Sequence, residues 1–185
     1  MLRFVTLWIV VFMVSAVSWA QNSENSSKIW RLNEEGKIQA SHNEGKTWED
    51  AGANAEARLN AVHFVNTNDG WAVGQNATLL HWDGEKWGEV LIFSTANLFS
   101  VYFQDTKNGW VAGSNGTLLF WDGTSWNEEA SPTAETLINV KRATNGNLQI
   151  TAQSGALFEK EIGQWKAKAA PIAPLLSASL SKLEE

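Results

Sequence analysis

The chain of 185 residues contains no cysteine. That excludes disulfide staples, a thiol nucleophile and any Cys-ligated metal, so stability has to come from an apolar core. It has 3 prolines, a single tyrosine and 3 histidines. Its charges form no runs: 14 Lys and Arg stand against 20 Asp and Glu, a net charge of −6. A mildly acidic, scattered surface argues against nucleic acid or an anionic membrane as partner. The chain also lacks a hydrophobic run long enough to span a bilayer. Phe4 to Val17 is almost wholly apolar over 14 residues, short of the roughly 20 a spanning helix needs. This run follows Met1-Leu2-Arg3 and precedes Ser18-Trp19-Ala20, an A-x-A-like site. Residues 1–20 therefore read as a secretory signal peptide, with a secreted or periplasmic product and no membrane span after cleavage. With no cysteine after Ala20, a lipid anchor is not expected. Residues 21–27, QNSENSS, read as a polar linker without fixed structure.

What the chain has is tryptophan and repetition. Nine of its 11 Trp lie beyond the leader. Leu59 to Trp87 and Leu98 to Trp126 align without a gap, identical at 15 of 29 positions and offset by 39 residues. A period near 40 is the signature of a repeat architecture. Trp48, Trp87, Trp126 and Trp165 are spaced 39, 39 and 39, and Leu59, Leu98 and Leu137 share that period. Turn residues recur every 8 to 10 positions, which reads as all-β. In the first full repeat the strands fall at Leu59–Val65, Trp71–Gly74, Thr78–Trp82 and Trp87–Phe93. The runs TLLHW and TLLFW do not alternate, as expected for strands buried on both faces.

Repeats of about 40 residues with four antiparallel strands are the blades of a β-propeller. The fold is therefore expected to be all-β, a small propeller of about four blades within 28–170 (28–50, 59–93, 98–130 and 137–169). The first unit has only three strands and lacks the opening one. One period beyond Leu137 stands Leu176, so the tail 171–185 either supplies a closing strand at Leu175–Leu180 or forms an amphipathic helix carrying Leu176, Leu180 and Leu183. Either four blades close as a small ring, or two chains pair as a homodimer into a larger one.

The residues Ser41-His42-Asn43-Glu44-Gly45-Lys46-Thr47-Trp48 resemble the S-x-D-x-G-x-T-W Asp box of BNR (sialidase-type) repeats, with Asn43 in place of Asp. The units with L-x-x-V-x-F, N-D-G-W-A-V-G and T-L-L-H-W-D-G are similar to the repeats of the photosystem II stability/assembly factor family and its bacterial relatives. The resemblance covers about 150 residues. It implies a propeller in which these boxes are turn-forming structural features opposite the binding face. Later boxes, WDGEKW, WDGTSW and EKEIGQW, depart from the pattern.

No motif reads as a catalytic site. Asp83 and Asp122 precede Gly between strands, where Asx side chains close turns. Asn66 to Gly70 lacks the terminal acid of a calcium loop. His42, His63 and His81 lie at unrelated phases, and His63 and His81 match Tyr102 and Phe120, so they read as packing positions. No metal or cofactor is implied. A sialidase-like centre would use Arg31, Arg58 and Arg142 with Tyr102, but Tyr102 lies mid-strand and four blades are too few. In a four-stranded blade the turns after the second strand share a face with the loops after the fourth. That face would carry Arg58, Asn76, Asn115 and Ser154 as ligand-binding residues. Trp48, Trp87, Trp126, Trp165, Asp83 and Asp122 are structural positions. The expectation is a non-enzymatic binding or assembly module for a protein partner. The alternative is a carbohydrate-binding, lectin-like or sialidase-like glycan-processing domain.

Overall fold

The computed structural model describes residues 28–168; the expected signal peptide, the linker and the 171–185 tail lie outside them. Fifteen strands form four antiparallel sheets, each a meander in chain order. The first sheet has three strands, β1 (Ile29–Leu32), β2 (Ile38–Ser41) and β3 (Glu49–Asp50). The second holds β4 (Leu59–Asn66), β5 (Asp69–Gly74), β6 (Leu79–Trp82) and β7 (Trp87–Glu89). The third holds β8 (Leu98–Asp105), β9 (Asn108–Gly113), β10 (Leu118–Trp121) and β11 (Trp126–Glu128). The fourth holds β12 (Leu137–Arg142), β13 (Leu148–Ala152), β14 (Leu157–Glu161) and β15 (Gln164–Lys168). The first strands of the four sheets in chain order pack side by side, β1 on β4, β4 on β8 and β8 on β12. This is the radial stacking of propeller blades, with each closing strand at the rim.

Each junction between sheets is a separate apolar layer, because alternate residues of a strand point to opposite faces. Ala72 and Leu80 join Ile38 and Leu59 between the first and second sheets. One residue along, Trp71, Val73 and Leu79 join Val101, Phe103 and Leu119 between the second and third. Trp110, Ala112 and Leu118 meet Leu137, Val140 and Ile150 in the next layer. The middle strands thus need apolar residues on both faces, which is why TLLHW and TLLFW do not alternate. Leu59, Leu98 and Leu137 are 2%, 0% and 0% exposed, and a register shift follows each at the same point of the repeat. The phased closing Trp extend the layers outward. Trp87 meets Trp30, Phe64 and Trp82, and Trp126 meets Trp71, Phe103 and Trp121.

Two readings change. The strand expected over Trp87–Phe93 ends at Glu89. Val90 still donates to Leu79 O at 2.9 Å, but the chain then leaves the edge and turns at Ile92, whose carbonyl accepts from Ser94 at 3.0 Å. Leu91 and Phe93 are left 90% and 107% exposed. The strands flanking Asn66–Gly70 extend into that loop, leaving only Thr67 and Asn68 between β4 and β5.

Candidate functional site

The two ends of the strands carry different chemistry. At one end are the turns before each closing strand. Asp83 Oδ1 accepts the N–H groups of Glu85 and Lys86, both at 2.9 Å. The Lys86 bond, then the Glu85 bond, holds its carboxyl below the usual range. Asp122 accepts from Thr124 N at 2.8 Å, Thr124 Oγ1 at 2.7 Å and Ser125 N at 2.9 Å. These bonds, led by the Thr124 hydroxyl, hold it far below the carboxylate range. Both side chains are consumed by their own turns. In the first unit Ser41 and Asn43 do the equivalent work over a longer loop. Ser41 Oγ accepts from Gly45 N at 2.9 Å and Asn43 Oδ1 accepts from Thr47 N at 2.9 Å.

The opposite end is more open. The turns following β5, β9 and β13 are stitched to the chain entering the opening strand of the same sheet. Gln75 N donates to Arg58 O, Ser114 N to Asn97 O and Gln153 N to Thr136 O, at 2.8–3.0 Å. Asn76 and Asn115 sit at the turn tips with φ of 54° and 55°, a left-handed conformation that Asn tolerates better than most residues. Asn76 N donates to Asn97 Oδ1 at 3.0 Å. Arg58, Asn76, Asn115 and Ser154 are all exposed here, strung along the arc of blades. Arg58 and Asn76 line adjoining grooves of ≈ 320 and ≈ 520 Å³. Asn115 lines a third of ≈ 420 Å³. Ser154 lines none of the three; its N–H reaches Glu135 Oε2 at 3.3 Å.

Carboxylates recur in these grooves, beside Lys37 and Arg58 in the one that Asp50 lines. Asp50, Glu89 and Glu128 are each 39 residues apart, each is exposed, and each lines a different groove. Glu56 borders two of them. This acidic arc escaped the reading of the turns, although the 39-residue phase was enough to find it. Glu129, the next residue along, is engaged elsewhere. Its carboxylate accepts Trp110 Nε1 at 3.1 Å, Trp165 Nε1 at 2.7 Å and Lys160 Nζ at 2.7 Å.

A second cleft, of ≈ 440 Å³, opens between the rims of the second and third sheets. Trp71, His81, Trp121 and Trp126 line it, with Leu91 and Phe93 at its edge. His81 stacks on Trp71 at 4.2 Å and its Nε2 lies 2.9 Å from Asp69 Oδ1. His63 instead packs against Tyr102 and Phe103. Arg31, Arg58 and Arg142 do not converge with Tyr102: Arg31 stacks on Trp48 at 4.1 Å, Arg58 stands on the grooved face, and Arg142 bonds Gly146 O at 3.1 Å. Among the described residues no group of three or more His, Asp and Glu is placed to hold a metal, and no helix is long and apolar enough to cross a membrane.

No family model matches the chain, and no curated protein sequence does. Solved structures do match. YCF48 bound to a D1 peptide is 28% identical, with a TM-score of 0.54, over 63% of this chain and 42% of that one. An ancestral GH74 enzyme is 15% identical, with a TM-score of 0.64, over 81% of this chain and 23% of that one. The WD40 β-propeller domain of Doa1 is 12% identical, with a TM-score of 0.60, over 77% of this chain and 53% of that one. The chain spans about half, or less, of each of these proteins. Four antiparallel sheets stacked on their opening strands, matched by these solved structures, give the chain the fold of β-propeller repeats.

Proposed function

We propose that the chain is an exported, non-enzymatic propeller module that binds a basic segment of a protein partner along its grooved face. The observation that carries this reading is the arc of Asp50, Glu89 and Glu128, one exposed carboxylate per repeat, each in its own groove. A periodic row of like charges beside shallow grooves suits an extended chain with basic side chains, and charge complementarity steers and orients such an encounter. Asn76 and Asn115, at the tips of adjacent turns, add amides for the partner's backbone. The 28% likeness to YCF48 bound to a D1 peptide supports a peptide as ligand. The likeness to the GH74 enzyme, at 15%, supports the fold alone.

The reading is tested by probing the purified chain with arrays of short basic, neutral and acidic peptides, beside a glycan array and a fluorogenic glycosidase screen. Retention on basic peptides alone is the expected result. Binding on the glycan array, or turnover abolished by Arg58→Ala, would replace it with the glycan reading.

A further inference from the structure

Among the described residues, the second, third and fourth sheets each open with an innermost strand that the first sheet lacks. Their opening residues pair Leu59 with Gly74, Leu98 with Gly113 and Leu137 with Ala152. Just before them, the carbonyls of Arg58, Asn97 and Thr136, 39 residues apart, accept the N–H groups of Gln75, Ser114 and Gln153. In the first sheet the residue at that point of the turn is Glu34, because Asn33 N bonds Lys37 O as Gly74 N bonds Thr78 O. One repeat beyond Thr136 comes Leu175, and Leu176 then falls in phase with the opening leucines. The edge of β1 offers backbone donors and acceptors where that strand belongs, and an edge of this kind is a template for pairing.

We propose that Leu175–Leu180 forms the missing strand in trans. Two copies of the chain, four sheets each, join head to tail into one closed ring, each tail completing the first sheet of the other copy.

Curvature selects the second copy. The chain superposes on about half of a WD40 propeller domain, 77% of its length on 53% of that domain. Half a ring leaves its two ends on opposite sides, and β12 is not a packed neighbour of β1 among the described residues. A chain's own tail leaves the far end of the arc. The tail of a second copy leaves a fourth sheet seated directly beside β1, and a two-fold axis along the ring makes both junctions identical.

The chemistry of the end faces fits one junction that differs from the internal ones. In register, Arg31 and Gln39 stand where Ala72 and Leu80 face the preceding sheet, and Arg31 Nε bonds Gln39 Oε1 at 3.0 Å. At the other end Gln149 and Glu159 pair across β13 and β14 where Trp110 and Phe120 pair in the third sheet. Glu159 is 7% exposed and carries an amide bond from Gln149 at 3.1 Å. The two ends are therefore polar, with Arg31 and Gln39 on one and, on the other, Gln149 and Glu159, whose carboxylate also pairs with Lys168 at 3.5 Å. The tail follows the same rule. Ser179 and Ser181 occupy the phase of Val101 and Phe103, which face the preceding sheet, whereas Leu180 occupies the phase of Tyr102, which faces the following one. A strand polar on one side only is what this position requires.

The chain has no cysteine, so one engineered pair reports without interference. Leu32 and Ala178 correspond to the directly opposed pairs Ala61 with Val73 and Ser100 with Ala112. Oxidised Leu32→Cys/Ala178→Cys is expected to run as a reducible covalent dimer on a denaturing gel. A disulfide within one chain, or none at all, overturns the proposal. Independently of any substitution, light scattering on the unmodified chain is expected to give twice the chain mass, and a single-chain mass overturns it as well.

Discussion

Glu129 bonds the indole N–H groups of Trp110 and Trp165, but one repeat earlier the same position is Val90 and two repeats earlier Ala51. The consequence is visible in the core, where Nε1 of Trp87 and of Trp126 are buried without a hydrogen-bond partner. A buried orphan donor costs about 1–3 kcal/mol, offset here by the large apolar area each ring removes from water. Glu129→Val should therefore lower the unfolding free energy in urea by about 2–3 kcal/mol, since it strands two indole donors and a lysine. Trp165→Phe should cost more than Trp126→Phe, because only the first breaks a bond to a carboxylate. His63 supplies a separate test. Burial between Tyr102 and Phe103 lowers its pKa, partly opposed by a bond with the Phe103 backbone. A base whose folded pKa is depressed is stabilising in its neutral form, so its contribution is complete above the unfolded value of about 6.5 and is lost as pH falls below it. His63→Tyr, which copies Tyr102, should flatten the fall in urea midpoint between pH 7.5 and 5.5. An unchanged slope would remove His63 as its source.

Strands show where sequence periodicity is a sufficient guide and where it fails. The phased Leu59, Leu98 and Leu137 and Trp87, Trp126 and Trp165 located every sheet junction, because each lies in the apolar layer between its own sheet and the preceding one. Trp87→Ala and Trp126→Ala should each cost about 3–5 kcal/mol in the same urea assay, as expected for emptying an aromatic position between packed sheets. The run Val90–Phe93 has the composition of a strand and misled for that reason. As an outer segment it has one partner strand, and that partner, β6, is already paired along its length. Only Val90 and Ile92 pack inward. Leu91→Ser/Phe93→Ser should accordingly leave stability within about 0.5 kcal/mol; a loss of several times that would restore the longer strand. The acidic arc was partly legible. Asp50, Glu89 and Glu128 hold strict phase, yet a carboxylate at a strand end has no local pattern that separates it from a solvated residue. Its meaning came from the grooves, whose walls join residues as distant in sequence as Asn54 and Glu89.

At the level of the whole molecule the best-repeated residues explain the fold, and the proposed function rests on what the repeat leaves exposed at the ends of its strands. Asp83 and Asp122 are closed on their own turns, whereas Glu89 and Glu128 face solvent along one arc, in phase with Asp50, whose Oδ1 also accepts Gly52 N at 2.7 Å. Binding there should be electrostatic in character, weakening as salt shortens the reach of the carboxylates. The most direct measurement is a fluorescence-anisotropy titration of a lysine-rich peptide, at low and moderate salt, against the unmodified chain and Glu89→Lys/Glu128→Lys. The account predicts saturable binding that weakens with salt and is lost in the charge-reversed variant while its urea midpoint holds. Equal affinity in the two proteins would contradict it.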